Sequence, residues 1–231
     1  MRAGTKRCFR ACAYTGNCMP DSPETGFSAV VVGVSTGGVK ALRIMLGSLP
    51  HDFPMPVIIV AHIMPDSDNG LATLLDMQCP IRVKEADEHE KPEAGTAYLA
   101  PANYHLLVER DRSFSLSADP LVCFARPSAD VLFESAAEAY GPALIGVILT
   151  GAGSDGSRGL IKIKDRGGVV IVQDPSDAEM KDMPMNALRS VKADFVEPLD
   201  RIAPRLAGLV NAAGTVSMHN MSSTDAMGRP L

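Results

Sequence analysis

Apolar runs that alternate with amphipathic segments constrain this chain more than any other feature. Phe27–Val34, Val57–Ala61, Ala143–Thr150 and Val169–Gln173 are stretches of mostly β-branched and aliphatic residues with no polar alternation. Such a strand must be buried on both faces, as in a parallel sheet covered by helices on each side. The segments between the runs have the helical period instead. Val39–Leu49 puts Leu42, Met45, Leu46 and Leu49 on one face. Ala129–Tyr140 turns Val131, Leu132 and Ala136 inward, with Ser128 as N-cap and Gly141-Pro142 as its stop. Further helices are predicted over Gly70–Met77, Ser157–Asp165, Pro184–Ser190 and Asp200–Ala213. Short strands are predicted over Ile81–Glu85, Ala97–Ala100 and Phe195–Val196, and His105–Glu109 with Phe114–Ser117 reads as a hairpin. The expected fold is α/β: one doubly wound, mostly parallel sheet with helices on both faces and a short antiparallel hairpin.

Length and charge narrow the function classes. The 231 residues allow one large domain or two small ones, and no repeat or linker divides the core. A formal charge of −5 argues against general nucleic-acid binding and against a polybasic membrane anchor. No run approaches the roughly 20 apolar residues that span a bilayer, so no membrane insertion is expected. Met1–Pro20 has basic residues but no apolar core of a signal peptide, which predicts a cytoplasmic protein. Residues 1–26 and 214–231 lack periodicity and read as flexible ends around a domain at 27–213. Of the five cysteines, Cys8, Cys12 and Cys18 fall in the first of these ends without a Cys-x-x-Cys pair or a nearby His, and read as reduced thiols. Cys79 and Cys123 border apolar segments and read as packing residues.

In doubly wound sheets, chemistry gathers at the carboxyl ends of the strands. After the first run stands Gly33–Gly38, Gly-Val-Ser-Thr-Gly-Gly. It lacks the Gly-Lys-Ser/Thr of a P-loop but contains Gly-x-Ser-x-Gly, which can hold Ser35 exposed on a tight strand-to-helix turn. After the second run comes His62, within reach of a neighbouring strand end and so a candidate general base for Ser35. An α/β-hydrolase would place its His last in the chain, but the late one here, His219, falls in the C-terminal end. After the third run, Gly151-Ala-Gly-Ser-Asp-Gly156 spells a dinucleotide fingerprint, and Asp174 follows at the end of the next strand. Asp155, however, would oppose a pyrophosphate at that helix N-terminus. A carboxylate is welcome there if it orients an imidazole, which makes Ser35, His62 and Asp155 a nucleophile, base and orienter. The fourth strand end, Asp174 to Met185, is rich in Met and acid; it is either the flank of a helix-receiving groove or ordinary loop packing.

At these residues the chain resembles the catalytic domain of the chemotaxis methylesterase (CheB) family. The supporting segments are Gly33–Gly38, His62–Pro65 (His-Ile-Met-Pro), Ala97–Pro101 (Ala-Tyr-Leu-Ala-Pro), Arg126–Phe133 and Gly146–Gly156, in the family's order. The likeness runs from about Ser28 to Ala213. It implies Ser35 as nucleophile, His62 as base and Asp155 as acid, with backbone N–H groups around Thr36 and Ala152 forming the oxyanion hole. It also implies demethylation of glutamate methyl esters, and deamidation of glutamines, on methyl-accepting chemoreceptors or similar helical signalling proteins, with no metal or organic cofactor. Two positions depart from the family pattern: Ala61 stands where Gln is common before the His, and Ala152 where Met is common. Backbone oxyanion donors survive such changes, whereas the shape of the substrate groove does not.

One rival from another class is a non-catalytic scaffold of the same fold that binds receptor helices or kinase partners. Another is a nicotinamide-binding Rossmann domain. Many family members carry a receiver domain ahead of the catalytic one, and residues 1–26 are too few for it. That predicts constitutive activity, or regulation by a separate protein.

Overall fold

The computed structural model describes residues 26–62 and 70–219. Among them, seven strands form one parallel sheet in the order β3-β4-β2-β1-β7-β8-β9. These are β1 (Ala29–Val34), β2 (Val57–Ala61), β3 (Arg82–Glu85), β4 (Thr96–Leu99), β7 (Leu144–Ile148), β8 (Val169–Gln173) and β9 (Phe195–Glu197). β5 (His105–Val108) and β6 (Phe114–Ser117) pair antiparallel as a separate hairpin. The chain winds outward from β1 in both directions, so the order reverses between β1 and β7, and ligands bind at such a switch point.

Both faces are covered, as the unbroken apolar runs require. Val30, Val32 and Val34 of β1 face a core shared with α1 (Gly38–Gly47), α2 (Gly70–Gln78) and α6 (Leu199–His219). Ala29 and Val31 face the opposite core, built with α3 (Ala129–Tyr140), α4 (Ser157–Asp165), α5 (Asp182–Ser190) and the hairpin. Fully burying one such Val or Leu contributes about 1.5–3 kcal/mol, so β1 anchors both layers. Glycine sets how closely the second layer sits. A Cβ on Gly146 of β7 would lie 2.5 Å from Ile163 Cδ1, and one on Gly159 of α4 2.3 Å from Phe133 Cβ on α3.

Several boundaries differ from the sequence reading. The third apolar run is strand only over Leu144–Ile148, because a 3-10 turn occupies Gly141–Ala143 before it. α5 begins at Asp182 rather than Pro184, since a proline in the first helical turn forfeits no backbone hydrogen bond. α6 continues from the expected end at Ala213 to His219. No helix among the described residues is long and apolar enough to cross a membrane. The expected flexible ends, with Cys8, Cys12 and Cys18, lie outside the described residues, apart from Gly26 and the helical 214–219; so do Ile63 to Pro65.

Candidate active site

Parallel register brings the three strand ends together. Val34 of β1 is level with Ala61 of β2, and the ladder continues one step further as His62 N–H donates to Val34 O at 3.1 Å. His62 therefore stands beside Ser35. On the other flank Ser35 N–H donates to Thr150 O at 3.0 Å, which ties the nucleophile candidate to the end of β7. The backbone then turns sharply: Gly38 N–H returns to Ser35 O at 2.8 Å, and Gly37 takes φ +80°, a value that favours glycine. A Cβ on Gly151 would lie 2.7 Å from Ser35 Cβ and 2.1 Å from Met183 Sδ, so only glycine lets the β7 turn approach so closely.

His62 bridges the other two side chains. Its Nδ1 lies 3.2 Å from Ser35 Oγ and its Nε2 2.8 Å from Asp155 Oδ2. An ionised carboxylate only accepts, so the neutral ring carries its proton on Nε2 and offers the Nδ1 lone pair to the serine hydroxyl. The His62 side chain is 20% exposed, whereas that of Asp155 is only 2% exposed.

Asp155 is held by far more than the imidazole. Oδ1 accepts from Ser128 Oγ at 2.7 Å and from the Asp130 and Gly156 amides at 3.0 Å each. Oδ2 accepts from Ala129 N–H at 2.6 Å as well as from His62. Burial pushes this carboxyl up, but the bonds from His62, Ser128 and the amides of Asp130 and Ala129 outweigh it and hold it below the usual range. Ser128 holds the N-cap position of α3, as the sequence predicts. Its backbone is extended as a cap should be, yet its hydroxyl makes no cap bond; the Asp155 carboxylate caps α3 in its place. A charged acceptor at the positive end of a helix dipole is a stronger partner for those amides than a neutral hydroxyl.

Thr36 and Ala152, the expected oxyanion donors, are both exposed, and among the described residues neither backbone amide has an acceptor. Three other amides at this turn and the start of α4 are already used. Gly151 N–H donates to Met180 O, Gly156 N–H to Asp155 and Ser157 N–H to Ser154 O. The Gly-x-Gly-x-x-Gly spelling thus closes a turn that carries the buried Asp155 carboxylate, whose charge opposes a pyrophosphate there. In the fourth region Met183 is buried under Gly151 and the Met180 backbone is bonded to the same turn, so these two residues pack the loop against the site.

The cleft in front of His62 and Asp155 has a volume of about 430 Å³. Its wall includes two features that sequence reasoning missed. The Arg126 guanidinium donates to Asn103 Oδ1, Ala118 O and Asp119 O at 2.6–3.2 Å. Cys123, expected as a packing residue, is instead exposed with Phe124 at the centre of a tight turn, at φ 50° and 62°. Each left-handed non-glycine residue costs about 1–2 kcal/mol. Nothing in the spelling Val-Cys-Phe-Ala signals that turn. A larger groove of about 570 Å³ runs along α3 and α4, bridged by Arg158–Glu134 and Lys162–Glu138 pairs at 2.7 and 2.8 Å, and holds none of the three side chains.

Cys123, Asp130 and Asp155 put one ligand-type atom each within 4.8 Å of one another. The N–H and O–H donors around Asp155 already turn their positive ends to its oxygens, which opposes a cation there. Asp130 is buried and raised by that burial, opposed by the Gly159 N–H bond at 2.9 Å. The two carboxyls are therefore pushed in opposite directions.

Known proteins share this architecture. The family model for CheB methylesterase matches residues 30–206. A Leptospira interrogans relative named for protein-glutamate methylesterase and protein-glutamine glutaminase activities is 49% identical over 177 residues, which is 77% of this chain and 92% of that one. The protein-glutamate methylesterase FrzG of Myxococcus xanthus is 40% identical over 80% of this chain, which spans 55% of FrzG. The crystal structure of the Thermotoga maritima CheB methylesterase catalytic domain superposes with a TM-score of 0.77 at 36% identity, covering 80% of this chain and 100% of that one. A match that takes in all three strand ends and the sheet between them establishes that this chain belongs to the CheB methylesterase family.

Proposed function

We propose that this chain is a serine hydrolase that demethylates glutamate methyl esters on chemoreceptor-type helical signalling proteins, with residues 27–213 as the catalytic unit. The observation that carries this reading is the hydrogen-bonded series Ser35, His62 and Asp155 beside two amides without acceptors. Ser35 Oγ attacks the side-chain carbonyl of the esterified glutamate while His62 Nδ1 takes its proton. Asp155 holds Nε2–H and stabilises the imidazolium that forms. The amides of Thr36 and Ala152 receive the oxyanion. Methanol leaves with the proton from Nδ1; water then attacks the acyl-enzyme, gives its proton to the same nitrogen, and Ser35 is regenerated with a free glutamate. A glutamine substrate follows the same course with ammonia as leaving group. The route draws on no metal or organic cofactor, and it acts on cytoplasmic domains of its partners.

Ser35→Ala should lower methanol release from a methylated receptor about 10³-fold or more. Near-normal release by that variant overturns the assignment. A fluorophosphonate probe separates this reading from a scaffold of the same fold, because only an activated Ser35 is labelled.

A further inference from the structure

The turn at Val122–Ala125 is built to hold an aromatic ring in water. Val122 and Ala125 exchange backbone bonds of 3.1 and 2.9 Å, which closes a two-residue loop over Cys123 and Phe124. Two-residue loops of this kind need positive φ at both central positions and usually take Asn-Gly. Here both positions carry side chains, at φ 50° and 62°, so the strain is retained. Its product is Phe124 at 99% exposure, beside Leu121 at 59%, on the wall of the cleft that contains His62 and Asp155. The next residue but one, Arg126, is held by its bonds to three neutral oxygens, which anchors the base of the turn. The turn lets the Cys123 thiol donate to Asp130 Oδ2 at 3.6 Å, but the exposed Phe124 ring buries nothing in the isolated molecule, and functional sites are where such features persist.

We propose that Phe124 and Leu121 form an apolar subsite of the active cleft that seats an apolar side chain lying one helical turn from the esterified glutamate of the substrate. The inference rests on the esterase reading of that cleft. The occupant follows from continuity: His62 and Ala152 line the same cleft as Phe124 and Leu121, so a chain that presents an ester to Ser35 beside His62 has this wall next to it, and on a helix residues three or four apart share one face. Phe124 is thereby a specificity residue, remote from the reacting atoms.

The test uses two fluorescent helical peptides with one glutamate methyl ester, bearing Leu or Ala one turn away. Binding is measured by anisotropy to the full chain carrying Ser35→Ala, with and without a change at Phe124. The Ser35→Ala chain should prefer the Leu peptide about tenfold, the discrimination an apolar pocket provides. Phe124→Ala should bring that ratio close to one, and Phe124→Leu should keep most of it. A merely structural role moves both peptides together and leaves the ratio unchanged, which overturns the proposal. Phe124→Gly should also lose the ratio while melting at or above the parent temperature, since glycine relieves the left-handed strain; a lower melting temperature overturns the functional account of the strain. Failure of the unmodified chain to release methanol from either peptide overturns the esterase reading, whereas the binding ratio still decides on the subsite.

Discussion

Asp155 gathers five donors on two oxygens, and that crowding defines what its replacement should do. Asparagine keeps the shape but turns an NH2 group toward at least one N–H. Asp155→Asn should therefore lose on the order of 10⁴ in turnover through the wrong imidazole tautomer. It should also lose about 1–3 kcal/mol of stability for a buried donor left unpaired. Methanol release and thermal melts read the two effects separately. The pH dependence has a definite sign. Burial raises the Asp155 carboxyl, its hydrogen bonds lower it further than burial raises it, and the folded value falls below the ordinary 3.8. The folded state thus binds fewer protons than the unfolded chain, so the stabilisation is complete above the ordinary value and is lost as pH falls below it. An acid titration of stability should be shallower in Asp155→Asn than in the parent chain; equal slopes would refute this account.

At the scale of elements, the carboxylate lies where two helices begin. α3 takes it as its cap, and α4 starts just after it, behind Gly156 as N-cap. This explains why the two helices pack closely enough to require Gly159 against Phe133, while Gly146 of β7 makes room for Ile163 of α4. Glycine has opposite meanings at two places in the molecule. Gly208, exposed on the outer side of α6, would carry a Cβ with nothing within 4 Å, so Gly208→Ala should stabilise by about 1 kcal/mol through helix propensity. For a chain of this size that is a rise in melting temperature of about 2–4 °C. Gly146→Ala should destabilise by about 1–3 kcal/mol because the methyl would overlap Ile163 and Leu160. Thermal or urea melts of the two variants should move in opposite directions.

Across the whole molecule, stability should be graded from the centre of the sheet outward. β1 is buried along its entire length between two parallel partners, whereas β9 is an edge strand of three residues with Val196 47% exposed. Amide hydrogen exchange should place Val30–Val34 in the most protected class, opening only with global unfolding, and β9 in a class that opens locally. Similar protection for both would contradict the grading.

The same gradient separates what was legible in the sequence from what was not. Unbroken apolar runs announce buried parallel strands, and the strand-end rule selects Ser35, His62 and Asp155 although the last two lie 93 positions apart. The capping of α3 by Asp155, the diversion of the Ser128 hydroxyl from its cap bond, and the left-handed turn at Cys123 were illegible. The first two depend on where a distant loop arrives, of which local propensity carries no record, and the third is spelled without the Asn-Gly that such a turn usually takes.

One consequence of the Asp155 knot concerns time rather than equilibrium. Its five bonds join residue 62 at the end of β2, residues 128–130 at the start of α3 and the turn after β7, and none of these contacts forms within a single supersecondary unit except the one to Gly156. A refolding chain can complete the central strands and still have an unoriented imidazole. Recovery of Ser35 reactivity after dilution from denaturant is thus a clock for the closure of this knot, and it should run no faster than the recovery of helical signal.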